Sequence, residues 1–428
     1  MRPLQSSYLS SAPVDGPALS SRRNAAFSVA QEERVKFSIV CLSPQEWHVD
    51  LPTNRQQIMR RAAALGHQVL FIETGHFLGT HLWRLLRSGD RGSLARRLAS
   101  RETVSQGVLV CKALNLLPWR EKYALANRFD CWITAKALRR AVRQLPKPVV
   151  LWLYDPCSAR MAGTCGEDLA VYDCVDDYAA QVGPDPLRRS LAVAEDQRAA
   201  RRARLVFATT TGLLRRMRLI NGNTRLVPNA GDFGHFNAAA DRAFAPAEVG
   251  DLARPVLGFA GNFLAAKVDL GLIENVALAR PDWTLLLVGP ARPETADALA
   301  GLARLPNVHW VGFKPYGDLP GYVAAFDVAL IPYVANDYTR NCFPLKLYEY
   351  LAAGKPVVAS GLPELAGMEP DVVLTTGVDE FVAAVDSALR LRQDGDRRRR
   401  VERAAGNTWE TRTERLLDLV ASELGSGM

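Results

Sequence analysis

Residues 342–360 read CFPLKLYEYLAAGKPVVAS. Pro344 suits the first turn of a helix, and Gly354 suits the position just past its end. PVVAS, which follows, is a short β-branched run of the kind that makes a buried strand. A helix stopped by glycine and fed straight into a strand is half of an α/β unit. The helix also carries chemistry. Lys346, Glu349, Tyr350 and Ala353 fall at i, i+3, i+4 and i+7 and share one face. Leu347 and Leu351 lie on another face and suit a core. A lysine in the first turn opposes the helix dipole unless an anion compensates it. Free N–H groups at such an end favour phosphate, and a glutamate one turn later could accept from the two hydroxyls of a ribose. The same spacing also fits a surface Lys–Glu pair, so spacing alone leaves two readings open.

Working outward, the α/β pattern repeats along the chain. The N-terminal half contains the runs FSIVCLS (37–43), QVLFIE (68–73), GVLVCKA (107–113), VVLWLYD (149–155), LAVYDCVD (169–176), RLVFATT (204–210) and TRLVPNA (224–230). RQQIMRRAAALGH, between the first two, reads as an amphipathic helix closed by Gly66. The C-terminal half contains PVLGFAG (255–261), TLLLVGP (284–290), VHWVGF (308–313), VALIPY (328–333), PVVAS (356–360) and VVLTT (372–376). Strands alternating with helices predict two parallel, doubly wound sheets facing each other across a cleft, with ligands at the strands' carboxyl ends. The expected organisation is a disordered tail over 1–34, a first Rossmann-like domain over 35–235, and an Ala-, Pro- and Asp-rich linker over 236–254. A second Rossmann-like domain follows over 255–405, and a terminal helix lies within 406–428.

Composition bounds the function. The 428 residues are enough for two domains, and 48% hydrophobic with 23% charged residues is a globular balance. No apolar run is long enough to span a bilayer, and the N-terminus lacks the apolar core of a secretory signal. Seven scattered cysteines without a C-x-x-C pair argue for reduced thiols in the cytoplasm. Six histidines form no ligand pattern, so no metal is expected. A net charge of +8 suits an anionic partner, although the arginines form no nucleic-acid-binding motif. The stretch FLGTHLWRLLRSGDRGSLARRLASR (77–101) sets six arginines against one aspartate, interleaved with Leu, Phe and Trp. It reads as a peripheral contact with the inner face of a membrane.

A second basic element is FAGNFLAAKVD (259–269). Gly261 ends a strand, where a missing side chain lets a ligand approach the backbone. Lys267, six residues on, could reach a diphosphate. A βα loop with a solvated lysine has the same pattern.

Several pieces, in order, resemble the nucleotide-sugar glycosyltransferases of the GT-B fold, in particular the retaining family with an E-x7-E motif and its bacterial polysaccharide branch. GNFLAAKVD is similar to that family's G-R-x-x-x-x-K-G loop. FPLKLYEYLAAGKPVVAS is similar to its donor-binding helix, LVPNAGDFGHF (226–236) to its interdomain segment, and NTWETRTERL to the helix that crosses back onto the first domain. The resemblance spans most of residues 204–420. It implies that Lys267 binds the donor diphosphate, with Lys346 and Gly261 beside it, and that Glu349 holds the ribose. Asn341, Phe343, Pro344 and Leu345 would line the donor's ribose and sugar. Two positions depart from the family. Asn262 replaces the loop arginine, and Asn341 replaces the first glutamate of the motif, which touches the donor sugar.

The N-terminal half resembles the family less. SPQEWHVDLPTNR (43–55) stands where a Gly-Gly loop is usual, which makes Trp47, His48 and Arg55 candidates to face the cleft. Asp176 and Asp177 stand at the carboxyl end of a strand, where the family often has a histidine. A carboxylate there could bind sugar hydroxyls or act as a general base, and one of the two could instead cap the next helix. Asp155 ends a neighbouring strand and is a further acceptor-side candidate. His235 reads as structural.

The resulting expectation is a cytoplasmic glycosyltransferase needing no cofactor or metal. It would move a sugar from a UDP- or GDP-sugar to a hydroxyl of a glycan or lipid-linked acceptor in cell-surface or exopolysaccharide biosynthesis. The alternatives are a GT-B-fold UDP-sugar epimerase and a degenerate nucleotide-binding protein.

Overall fold

The β-branched runs assemble into two separate sheets. The first contains β1 (Ser38–Ser43), β2 (Gln68–Phe77), β3 (Glu102–Ser105), β4 (Val108–Asn115), β5 (Val149–Leu153), β6 (Leu169–Cys174), β7 (Leu205–Ala208) and β8 (Thr224–Leu226). Their order is β3-β4-β2-β1-β5-β6-β7-β8. All neighbours are parallel except β3, which runs antiparallel to β4 at the edge. The second contains β9 (Val256–Ala260), β10 (Thr284–Val288), β11 (Val308–Trp310), β12 (Val328–Pro332), β13 (Val357–Ser360) and β14 (Val372–Thr375). It is fully parallel in the order β11-β10-β9-β12-β13-β14. This is the two-sheet GT-B architecture.

The computed structural model describes residues 35–79, 102–105, 107–238, 244–391 and 393–426. The expected tail over 1–34 lies outside the described residues, as does the basic stretch 77–101 beyond its first three residues. From Lys36 onward the chain is one compact unit. No helix among the described residues is long and apolar enough to cross a membrane.

Both faces of the first sheet are covered, which explains the unbroken apolar runs of its strands. Ile39, Cys41, Phe71, Trp152 and Phe207 point to one face and pack against the helix Asn54–Ala64. Val40, Leu42, Leu70, Leu151 and Tyr172 alternate with them and pack against the helix Ala124–Val142. The chain reverses winding direction between β1 and β5 in the first sheet and between β9 and β12 in the second. A crevice opens at each of these switch points.

The terminal helix Trp409–Gly425 returns to the first sheet. Trp409, Leu416, Leu417, Val420 and Leu424 are buried in the same core as Phe37 and Ile39. Gly231 bridges Thr408 at its start. Arg412, on the buried face, approaches Asp173 at 3.8 Å and donates through Nη1 to Asn229 Oδ1 at 2.7 Å. Asn229 Nδ2 in turn donates to the Phe343 carbonyl in the second domain at 2.9 Å. The segment around Asn229, the terminal helix and the loop before the 346–352 helix are therefore tied together by buried hydrogen bonds.

Trp409→Ala removes a fully buried indole from that junction and should destabilise the protein by about 3–5 kcal/mol. Equilibrium denaturation followed by circular dichroism measures it. A loss under about 1 kcal/mol would mean that the helix is only loosely seated.

Candidate functional site

The carboxyl ends of both sheets line one cleft of about 420 Å³. The first domain contributes Arg55 and Asp176. The second contributes Gly261, Lys267 and Arg292, together with Phe343, Pro344, Leu345, Lys346 and Glu349. Residues as far apart in the sequence as Gln45 and Glu349 thus meet at one place, and the helix of 342–360 is part of it.

That helix is short, Lys346–Ala352. Pro344 precedes it, and its carbonyl accepts from Leu347 N at 3.2 Å. Leu347, Tyr350 and Leu351 are buried, and the Tyr350 hydroxyl accepts from Ala260 N at 2.8 Å, pinning the helix to the end of β9. Lys346 is directed at the strand end. Its Nζ sits 3.9 Å above the Phe259 ring and 3.5 Å from the Tyr333 hydroxyl. The glycine at 261 has a second purpose here. Its φ of +150° strains any other residue, and a Cβ there would lie 2.5 Å from Lys346 Nζ. The backbone is left bare for the lysine.

Lys267, six residues further along the loop, also lines the cleft, with its Nζ 4.7 Å from the Tyr338 ring centroid. Burial and the neighbouring Lys267 charge push the Lys346 ammonium down to about 7. Lys267 resists the same burial because Cys342, Tyr338, Tyr333 and Asp176 surround it, and its proton is held more tightly than usual. Burial, with help from Asp232, pushes the Glu349 carboxyl up to about 7 against the pull of Lys346 and Tyr316. The Tyr316 hydroxyl lies 3.5 Å from Glu349 Oε1 and 3.4 Å from Asp232 Oδ2. A cleft that discharges its own lysine and its own glutamate near neutrality is poised for a ligand that supplies the missing charge.

The two aspartates part company. Asp176 is half-buried and lines the cleft. Asp177 does not line it. It caps the following helix through Ala180 N, pairs with Arg216 Nη1 and accepts from Asn341 Nδ2 at 3.2 Å. Asn341 is thereby spent on an interdomain hydrogen bond. A glutamate at that position would set a carboxylate against Asp177, so the departure from the family motif and the aspartate pair explain each other. Glu364 reinforces this contact by accepting from Thr211 N at 2.8 Å and Gly212 N at 2.8 Å.

The four acceptor-side candidates settle differently. Trp47 is buried and packs edge-on against Phe71, 4.9 Å between centroids, and does not face the cleft. Asp155 is also buried, accepting from Thr74 Oγ1 at 2.8 Å, Ser158 Oγ at 2.6 Å and Arg120 Nη2 at 3.2 Å. It anchors loops and does not line the cleft. Arg55 does line it, bound to the Tyr178 hydroxyl at 3.1 Å. His48 borders an adjoining hollow with Asn262, Arg292 and Phe313. His235 stacks on Tyr316, 4.9 Å between centroids, and donates to its carbonyl, as a structural residue would.

The sequence reading missed Arg292. It donates through Nη2 to Asn262 Oδ1 at 3.1 Å, bringing a guanidinium to the loop whose family arginine is absent. Its signal was available, since it stands just past β10, at a strand end facing the crevice.

The fold and the cleft define the class, a GT-B-fold protein with a cationic pocket at the switch point of its second domain. Comparison with known proteins agrees. Residues 254–391 match the family described as "Glycosyl transferases group 1". The chain is 32% identical over 262 residues to the putative teichuronic acid biosynthesis glycosyltransferase TuaH of Bacillus subtilis, covering 58% of this chain and 64% of that protein. It is 30% identical over 240 residues to the 2-deoxystreptamine glucosyltransferase of Streptomyces kanamyceticus, covering 50% and 57%. The matched region thus spans less than two thirds of either relative. Among solved structures, the sucrose-phosphate synthase of Thermosynechococcus elongatus superposes with a TM-score of 0.68 at 17% identity, covering 91% of this chain and 100% of that one. Anabaena Alr3699/HepE in complex with UDP-glucose does so with a TM-score of 0.63 at 16% identity, covering 90% and 99%.

Lys346→Met should stabilise the ligand-free protein. The folded-state lysine releases its proton near pH 7, whereas an unfolded lysine keeps it to about pH 10. The penalty is therefore complete below about pH 7 and fades as pH rises towards 10. Melting temperatures measured across that range should show the variant ahead by several degrees at about pH 6, with the gap closing above about pH 9. A variant that melts lower at every pH would contradict the assigned shift.

Proposed function

We propose that the protein is a glycosyltransferase that moves a sugar from a nucleoside-diphosphate sugar to a hydroxyl of a glycan or lipid-linked acceptor in cell-surface polysaccharide biosynthesis. The observation that carries this reading is the convergence of Lys267, Lys346 and Glu349 in one cleft, opposite Asp176. The names of the curated relatives support it, and so does the UDP-glucose complex of a structural neighbour.

In this reading Lys267 and Lys346 hold the donor diphosphate, and Arg292 supplies a third positive group at the same loop. As the sugar–oxygen bond breaks, negative charge grows on the leaving diphosphate, and fixed ammonium groups stabilise it without reorganising. Lys346 gains its proton when the diphosphate arrives, because the anion reverses the repulsion from Lys267. Glu349, oriented by Tyr316, accepts from the ribose hydroxyls. Asp176 stands across the cleft, on the acceptor side, where it binds sugar hydroxyls or takes the proton of the attacking hydroxyl. Donor binding needs no metal in this scheme. The protein works at the cytoplasmic face of the membrane, and residues 77–101 provide peripheral contact with the lipid.

A thermal-shift panel of UDP-, GDP- and ADP-sugars identifies the donor class, since a bound ligand raises the melting temperature by mass action. A UDP-sugar is expected to give the largest shift. Lys267→Ala and Lys346→Ala should each lower turnover by about 2–4 kcal/mol of barrier. Unchanged turnover and donor affinity in both variants would refute the assignment, and sugar epimerisation without acceptor would identify a different enzyme.

A further inference from the structure

The largest feature that the donor cleft leaves unused lies on the first domain, between β4 and the end of the helix Ala124–Val142. Among the described residues, seven of the fourteen strongly exposed large apolar side chains fall within Leu116–Trp132. Trp119 is 64% exposed, Leu125 80% and Trp132 55%. Scattered exposed leucines are ordinary, but a run of this kind in a soluble domain marks a contact surface.

The chain builds this surface deliberately. Trp119 has a φ of +56°, an uncommon conformation for a bulky residue. It throws the indole outward while the next residue, Arg120, turns inward to Asp155, Asn115 Oδ1 and the Thr74 carbonyl. Asp130 holds the same loop from the helix, accepting from Leu116 N at 2.8 Å and Leu117 N at 3.3 Å. Along the helix, Leu125, Phe129 and Trp132 form one outward stripe at i, i+4 and i+7. The stripe continues as Lys136, Arg139, Arg140 and Arg143, all exposed. Lys136 Nζ lies 3.5 Å above the Trp132 ring, where the apolar and basic halves meet. Asp130 is the helix's one acidic residue, and it is buried, so the outward face carries no negative charge.

We propose that this surface docks on an anionic lipid bilayer. Leu116, Trp119, Tyr123, Leu125, Phe129 and Trp132 enter the interface, and Lys136 with the three arginines meets the headgroups. The charge pattern selects this occupant, because the apolar tip, which carries one exposed acidic residue, Glu121, is backed by four exposed cations, and that complements a negative surface over a hydrocarbon layer. The position suits it as well. Since β4 is parallel to β2 and β1, the apolar end of the stripe lies at the strands' carboxyl ends, where the cleft opens. The lipid surface would thus lie at the same end of the first sheet as the mouth of the site. This goes beyond the donor chemistry and uses a surface separate from residues 77–101.

The test is co-sedimentation of the full chain with phosphatidylcholine vesicles and with vesicles in which part of the lipid is phosphatidylglycerol. The wild type should bind the anionic vesicles, and salt should weaken the binding. A variant with Leu125→Ser, Phe129→Ser and Trp132→Ser should bind about tenfold or more weakly. A second variant, with Arg139→Ser, Arg140→Ser and Arg143→Ser, should lose the preference for anionic lipid. The UDP-induced thermal shift, read on both variants, should stay at the wild-type value and so reports on the donor site independently. Three results would overturn the proposal. They are no vesicle binding by the wild type, wild-type binding by the apolar variant, and a wild-type oligomer that the apolar variant converts to monomer.

Discussion

Two lysines of like charge, Lys267 in the loop that Gly261 opens and Lys346 at the start of the 346–352 helix, line one cleft, and the rest of the site is arranged around that repulsion. Lys346 cannot move away, because its helix is pinned by Tyr350 to β9 and by packing of Leu347 and Leu351. Lys267 is half-buried beside the Tyr338 ring, with Tyr333 and Cys342 near its charge. The protein relieves the conflict by weakening the hold of Lys346 on its proton. In the proposed function a donor diphosphate would relieve it better, by supplying negative charge beside the two lysines, at a site that gives up stability in the free state.

The same constraint gives the interdomain contacts their meaning. The cations belong to the second domain and Asp176 to the first, so the site exists only when the domains are registered. Asp177, Arg216 and Asn341 form one clasp, and Glu364 with the start of the helix Thr211–Arg218 forms another. Asn229 forms a third, linking the terminal helix to the Phe343 carbonyl beside the donor loop. Each clasp uses a small number of hydrogen bonds, worth about 1 kcal/mol apiece between neutral groups and about 1.5–3 kcal/mol where a carboxylate accepts.

Much of the fold was legible because strand, helix and glycine signals agree over short stretches. Thirteen of the strands coincide with apolar runs visible in the sequence. β3 escaped because ETVS is short, polar at one end and antiparallel to its neighbour, outside the α/β rhythm. The site was legible where one residue type has one plausible partner, as with Lys267 and Glu349. It was illegible where the partner is remote. Nothing local separates Asp176 from Asp177, and the distinction comes from Arg216 and Asn341, 39 and 164 positions away. Trp47 and Asp155 failed in the same way. Each lies in the loop that follows a strand, and each packs or bonds inward against a partner, Phe71 or Arg120, that local sequence does not reveal.

The central claim is that an anionic diphosphate completes a cleft whose lysine has partly lost its charge. Calorimetric titration with UDP at about pH 8, in two buffers of different ionisation enthalpy, tests it most directly. The expected result is binding accompanied by uptake of close to one proton, with the uptake absent in Lys346→Met. Binding with no proton uptake, or an uptake that persists in that variant, would contradict the account.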